Sequence, residues 1–165
     1  MSRPVNVLAA VFVTGALLLS GCASTPAGGL NTADTVLRGA STRNTVTLKV
    51  TPGEVRTGEQ LRADITASEP GYLYLYQLGT DGKTVNLVFP NAIDGSNYLA
   101  LGSHSLPRPG WRMSARGPVG VGYFLAVVAA RQQDLLAIEA RVREGRIETE
   151  GPYAAAMTSI RELAP

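Results

Sequence analysis

The chain has 165 residues, 45% of them hydrophobic and 17% charged, with a formal net charge of +2, one cysteine and one histidine. That length supports a single domain with a real core, and a near-neutral mixture of charges disfavours nucleic acid as a partner. The lone His104 excludes a histidine-rich metal site, and one cysteine cannot close an internal disulfide, so the fold must be held by its core.

In chain order, the first feature is an apolar run. Arg3 is its only charge, and Val5 to Leu19 is apolar apart from Asn6, Thr14 and Gly15. About 15 residues suit the apolar stretch of an export signal, whereas a membrane-spanning helix wants ~20. The run closes on Leu19-Ser20-Gly21-Cys22, which resembles the lipobox of bacterial lipoproteins. The resemblance implies a signal peptide over 1–21, cleavage before Cys22, a diacylglycerol on its sulfur and a further acyl chain, such as palmitate, on its amine. An uncleaved anchor or a buried helix is the alternative, but neither explains a small pair of residues immediately before the only thiol. Two or more acyl chains, each CH₂ contributing ~0.8 kcal/mol, hold a protein on a membrane where one does not.

Residues 23 to about 43 open with Ala-Ser-Thr-Pro-Ala-Gly-Gly, followed by Asn31, Thr32, Ala33 and Asp34. With the lipidated cysteine, 22–44 is expected to be a flexible tether spanning roughly 25 Å. Ala23 follows the cysteine in place of the aspartate that retains enteric lipoproteins in the inner membrane. By resemblance to that sorting rule, the address is the inner leaflet of the outer membrane, facing the periplasm.

From residue 45 the hydrophobic period becomes two. Val46, Leu48 and Val50 alternate with threonines and Lys49, then Leu61, Ala63, Ile65 and Ala67 alternate with Arg62, Asp64 and Thr66. Pro70-Gly71 turns the chain into Tyr72-Leu73-Tyr74-Leu75-Tyr76-Gln77, with three tyrosines on one face and two leucines on the other. Asp81-Gly82 marks a hairpin before Val85, Leu87 and Phe89. Trp111 to Ala115 alternates again, and Val119 to Ala130, apolar on both faces, reads as a central strand. Short strands at this spacing predict a mainly β domain over 45–130, a β-sandwich of immunoglobulin-like kind or a small barrel. Leu73, Leu75, Leu125 and Val127 belong to the expected core with Val46, Leu48, Leu61, Ile65 and Leu87. Residues 131–165 are expected to be a mostly helical extension. Its first part fits either period, with Gln132-Gln133-Asp134 and Gly145 favouring a helix. Its second, Pro152 to Leu163, is expected to be a short helix with Met157 and Ile160 on one face.

Several motifs occur in order: Gly58-Glu59, Gly71-Tyr72-Leu73-Tyr74-Leu75, Asp81-Gly82-Lys83, Leu87-Val88-Phe89-Pro90-Asn91 and Gly117-Pro118-Val119-Gly120. This order resembles the bacterial domain family of unknown function DUF 4384. The resemblance implies an envelope setting, with associations to lipoproteins, signalling and secretion, and it implies no catalytic residue.

Three groups are candidate binding residues. Tyr72, Tyr74 and Tyr76 form either a stacking platform for sugars or peptides, or cross-strand packing inside the sandwich. The stretch Phe89, Asn91, Asp94, Asn97 and Tyr98 is either a ligand loop or a long turn bonding its own backbone. Trp111, between Arg108 and Arg112, is either a partner anchor or a half-buried core residue. The mixed charges Glu139, Arg141, Arg143, Glu144, Arg146 and Glu148 form a solvated face or a docking face. For catalysis, Ser103 and Ser105 flank His104 on an expected strand, where neighbours point to opposite faces, so adjacency alone makes no nucleophile–base pair. A distant serine with His104 and Asp81 or Asp94 is the remaining hydrolase arrangement. The expectation is therefore a non-catalytic adaptor, anchored by lipid, with no cofactor beyond the covalent lipid and no metal. Its expected partner is another envelope protein, of a secretion or surface-assembly system; a peptidoglycan or glycan reader using the tyrosine face is the alternative, and a hydrolase the third reading.

Overall fold

A computed structural model of the protein describes residues 28–165. The expected signal segment, its cleavage motif Leu19, Ser20 and Gly21, and the lipid site Cys22 lie outside the described residues. Helix α1 (Gly29–Gly39) is followed by β1 (Val46–Thr51), β2 (Glu54–Arg56), β3 (Gln60–Ala67), β4 (Gly71–Leu78) and β5 (Val85–Phe89). Then come β6 (Tyr98–Leu99), β7 (Gly102–Leu106), β8 (Met113–Ser114), β9 (Gly120–Ala129), α2 (Leu135–Arg143) and β10 (Tyr153–Leu163).

The strands form two sheets. The smaller is ordered β1-β3-β7, with β8 also pairing β3; the larger is ordered β2-β10-β9-β4-β5, with β6 also pairing β4. The fold is mainly β, as the alternating segments predict. Between the sheets lies a core of Leu61, Ile65, Leu73, Leu75, Phe124, Ala126 and Ile160, among others. Registers such as Leu48↔Ile65 and Leu75↔Ala126 place the inward residues opposite one another. Leu48 and Leu87 are only half-buried, while the other expected core residues are buried.

The larger sheet is covered on its other face too. Tyr74, Tyr76, Leu125, Val127 and Ala129 meet Ala33 and Val36 of α1 and Ile138 of α2 in a second core. A sheet packed on both faces needs strands without a polar side, which is why β9, beyond its glycines at 120 and 122, reads as an apolar run. The hairpin before β5 is built as its residues predict. Gly82 takes φ +68°, and Asp81 accepts from the Lys83 and Thr84 amides at 2.9 and 2.8 Å. Helix α2 starts at Asp134, whose carboxylate accepts from the amides of Leu136 and Ala137.

Two expectations are corrected. The expected tether contains α1, whose Ala33 and Val36 are buried against the sheet, with Leu30 and Leu37 packed alongside. Its small polar residues form the outer face of a helix that docking stabilises. The segment 153–163 is not helical but is β10, paired with β9 over ten positions and parallel to β2. Ile160 enters the inter-sheet core and Met157 packs on the outer one, so the two residues expected to share a helix face lie on opposite faces of a strand. The extension is therefore helical only in α2, and its strand is built into the larger sheet.

Candidate binding cleft

At one end of the sandwich, β5 and the chain after it face β8 across an open cleft of about 410 Å³. Val88, Asn91, Ile93, Trp111, Met113 and Arg116 are among its lining residues. Ile93 is 71% exposed and shares the lining of the cleft with Trp111.

The cleft wall is held by a polar cluster. Asn91 organises its own loop, accepting at Oδ1 from the amides of Ile93 and Asp94 and donating from Nδ2 to the Val88 carbonyl. That fixes Asp94, which accepts from the Arg108 guanidinium at 3.0 Å and from the Trp111 indole N–H at 3.3 Å. Arg108 also donates to the Ser96 carbonyl at 2.7 Å and stands 5.0 Å over the Phe89 ring. Phe89 is fully buried and lies parallel to Trp111, with centroids 6.3 Å apart and 5° between planes. An ion pair with both partners mostly shielded and further hydrogen bonds around it positions side chains more firmly than an exposed pair.

The structure thus joins Phe89, Asn91, Asp94 and Trp111 in one place, and separates them from the other candidates. Asn97 is buried and structural: its side chain donates to the Leu73 carbonyl at 3.1 Å and its own carbonyl accepts from the Leu73 amide. Tyr98, 55% exposed, packs edge-on against Tyr72 at 5.4 Å. Tyr74 and Tyr76 are buried beneath the helices, which is the packing alternative for these two, while Tyr72 is half-buried. The reason is tertiary: the face holding the tyrosines is the one that α1 and α2 cover, while the leucines enter the sandwich. Burial also drives the Tyr76 hydroxyl to a much higher pKa than usual.

His104 does not assemble with a nucleophile. Its Nε2 lies 2.7 Å from the Ala100 carbonyl, while Ser103 bonds Thr66 and Ser105 donates to Asp64. The Ser105 hydroxyl and Arg62 together hold Asp64 below the usual carboxylate range. Asp81 is committed to its turn: the Thr84 hydroxyl and the Thr84 and Lys83 amides lower its pKa to about 2. The mixed charges near α2 pair internally, Arg141 with Glu148 at 2.8 Å and Arg146 with Glu144 at 2.7 Å. Arg108 and Ile93 escaped the sequence reading as site residues. The Arg–x–x–Trp spacing was visible, but nothing local indicated that Asp94 would bind both ends of it.

Residues 54–132 match the family model described as Domain of unknown function (DUF4384). No curated protein matches the chain.

Proposed function

We propose that this chain, with its DUF4384 segment, is a lipid-anchored adaptor of the bacterial envelope that seats a segment of a protein partner in the cleft between β5 and β8. The observation that carries this reading is the exposed Ile93 beside the half-buried Trp111, on a wall prearranged by Asp94 and Arg108. A rigid aromatic in a partly desolvated recess, rimmed by polar groups, is what protein–protein recognition uses as an anchor. The lipobox motif at Cys22 supports the anchor, and Ala23 supports the outer membrane's periplasmic face.

The fold alters how such an anchor would present the domain. The Leu30 amide donates to the Gly82 carbonyl at 3.1 Å, tying the start of α1 to the turn between β4 and β5. From Cys22 to Gly28 an extended chain reaches at most ~20 Å, at 3.3–3.6 Å per residue. A lipidated Cys22 would therefore keep that turn close to the headgroups, in place of a domain searching on a long leash.

The test uses the protein in its own membranes. Mass spectrometry should find a chain beginning at acylated Cys22; an intact, unmodified chain rejects the anchor. A photocrosslinking residue at Ile93 should capture one protein, and Trp111→Ala should abolish that adduct while the same probe at Glu69 gives none. Equal capture from both positions, or an adduct indifferent to Trp111, rejects the cleft as the docking site.

A further inference from the structure

A second cavity, of about 230 Å³, lies next to the cleft and shares Gln77 and Arg116 with it. Glu162 of β10 lines it. This carboxylate is 1% exposed, and its strand partner across the sheet is Gly120 of β9. One oxygen, Oε2, accepts from the Gly117 amide at 2.7 Å; the other, Oε1, has no hydrogen-bond partner. The neighbouring backbone leaves room for the carboxylate by lacking side chains. A Cβ on Gly117 would stand 2.8 Å from Oε1, and one on Gly122 would stand 3.4 Å from it.

A buried carboxylate oxygen without a donor carries a desolvation cost that a donor from outside would offset. Arg116 lines the same cavity but does not bond Oε1. Asp81 also lines it, with both oxygens already accepting from its turn. A hard divalent cation wants six or more oxygen ligands at short range, and among the described residues no three acidic, histidine or cysteine side chains cluster. The walls instead offer Pro118 and the Thr80 methyl beside the amides of Gln77 and Asn86. Apolar walls leading to one anionic acceptor suit a hydrocarbon stem that ends in a cation.

We propose that this cavity is a socket for an alkyl cation, the guanidinium or ammonium end of a basic side chain presented by a partner protein, with Glu162 Oε1 as its acceptor. The socket does not depend on the cleft: it stands on the orphaned carboxylate whether or not a partner occupies the site at Trp111.

The purified full-length protein, labelled with nitrogen-15, is titrated with N-acetyl-arginine amide, N-acetyl-lysine amide and the uncharged N-acetyl-citrulline amide, following the Gly117 amide resonance. The charged probes should shift that resonance saturably in the millimolar range, and the citrulline probe at least tenfold more weakly. A capped pentapeptide of alanines around one arginine should bind more tightly than the single capped residue if the cation belongs to a protein. Equal affinity overturns the protein source and assigns the socket to free small cations. Glu162→Gln, which keeps an acceptor for Gly117, should lose the response at least tenfold without lowering Tm. Asn86→Tyr, on the exposed side of edge strand β5, should block the response while leaving Glu162 untouched. It serves as the decisive variant should Glu162→Gln fail to fold. A flat titration, a citrulline response equal to the charged probes, or responses that survive the variants overturn the proposal. So does binding that appears only in Arg116→Ala, since Arg116 would then be the occupant.

Discussion

The Tyr74 hydroxyl accepts a 2.7 Å hydrogen bond from the backbone amide of Gln133. A side chain from the middle of the larger sheet thereby fixes the start of α2, one residue before its capping Asp134. The Gln133 side chain adds a second tie, donating to the Glu150 carbonyl and accepting from the Glu150 amide, both at 3.0 Å. Tyr74 and Tyr76 of β4 thus belong to the packed interior and help to organise the fold.

Removing that hydroxyl alone should be felt. Tyr74→Phe keeps the ring but strips the Gln133 amide of its partner, and is expected to cost about 1–3 kcal/mol. Urea unfolding measures it. Tyr76→Ala, emptying a buried aromatic site in the same core, should cost about 3–5 kcal/mol. The sugar-platform reading requires the opposite pattern, with little loss of stability from either change.

Trp111 is the only tryptophan in the chain, so its fluorescence reports the cleft. Asp94→Ala removes the acceptor of both the indole and Arg108. The emission is expected to move to longer wavelength as the indole loosens into water, with a stability loss of about 1.5–3 kcal/mol for hydrogen bonds to a charged group. An unchanged spectrum would show that Asp94 does not hold the wall.

The hairpin aspartate carries a pH signature. The folded pKa of Asp81 is depressed from 3.8 to about 2, so the unfolded chain binds its proton first as acid is added. Its contribution to stability is complete above pH 4 and is lost as pH falls towards 2. Asp81→Asn should flatten the slope of stability against pH in that window. Equal slopes in both proteins would place the acid sensitivity elsewhere, with Asp64 as the next carboxylate to test.

The family-matched segment should not fold by itself. It ends at residue 132, before β10, whose ten paired positions cover β9, and it begins after β1, which covers β3. A chain of 54–132 is expected to lack cooperative thermal unfolding and to bind hydrophobic dye, while 28–165 unfolds in one transition. A cooperative 54–132 would contradict the placement of β10 in the core of the sheet.

Local chemistry alone determined much of this protein. Alternation in 46–51, 61–67 and 72–77, the Asp81-Gly82 turn and the Asp134 cap all act within a few residues, so each was readable from its neighbours. What only tertiary structure decided was which face of β4 meets which layer, because tyrosine and leucine are both apolar enough to be buried on either side. It also decided β10, whose Tyr153–Leu163 stretch tolerates helix and strand alike until β9 supplies a ladder for its backbone. The same was true of α1, short and weakly apolar, which needs the sheet to stabilise it. The clusters at Asp94 and Glu162 belong with these. Arg108 and Asp94 are fourteen residues apart, and Gly117 and Glu162 forty-five, distances along the chain over which only the packed fold brings a donor to an acceptor.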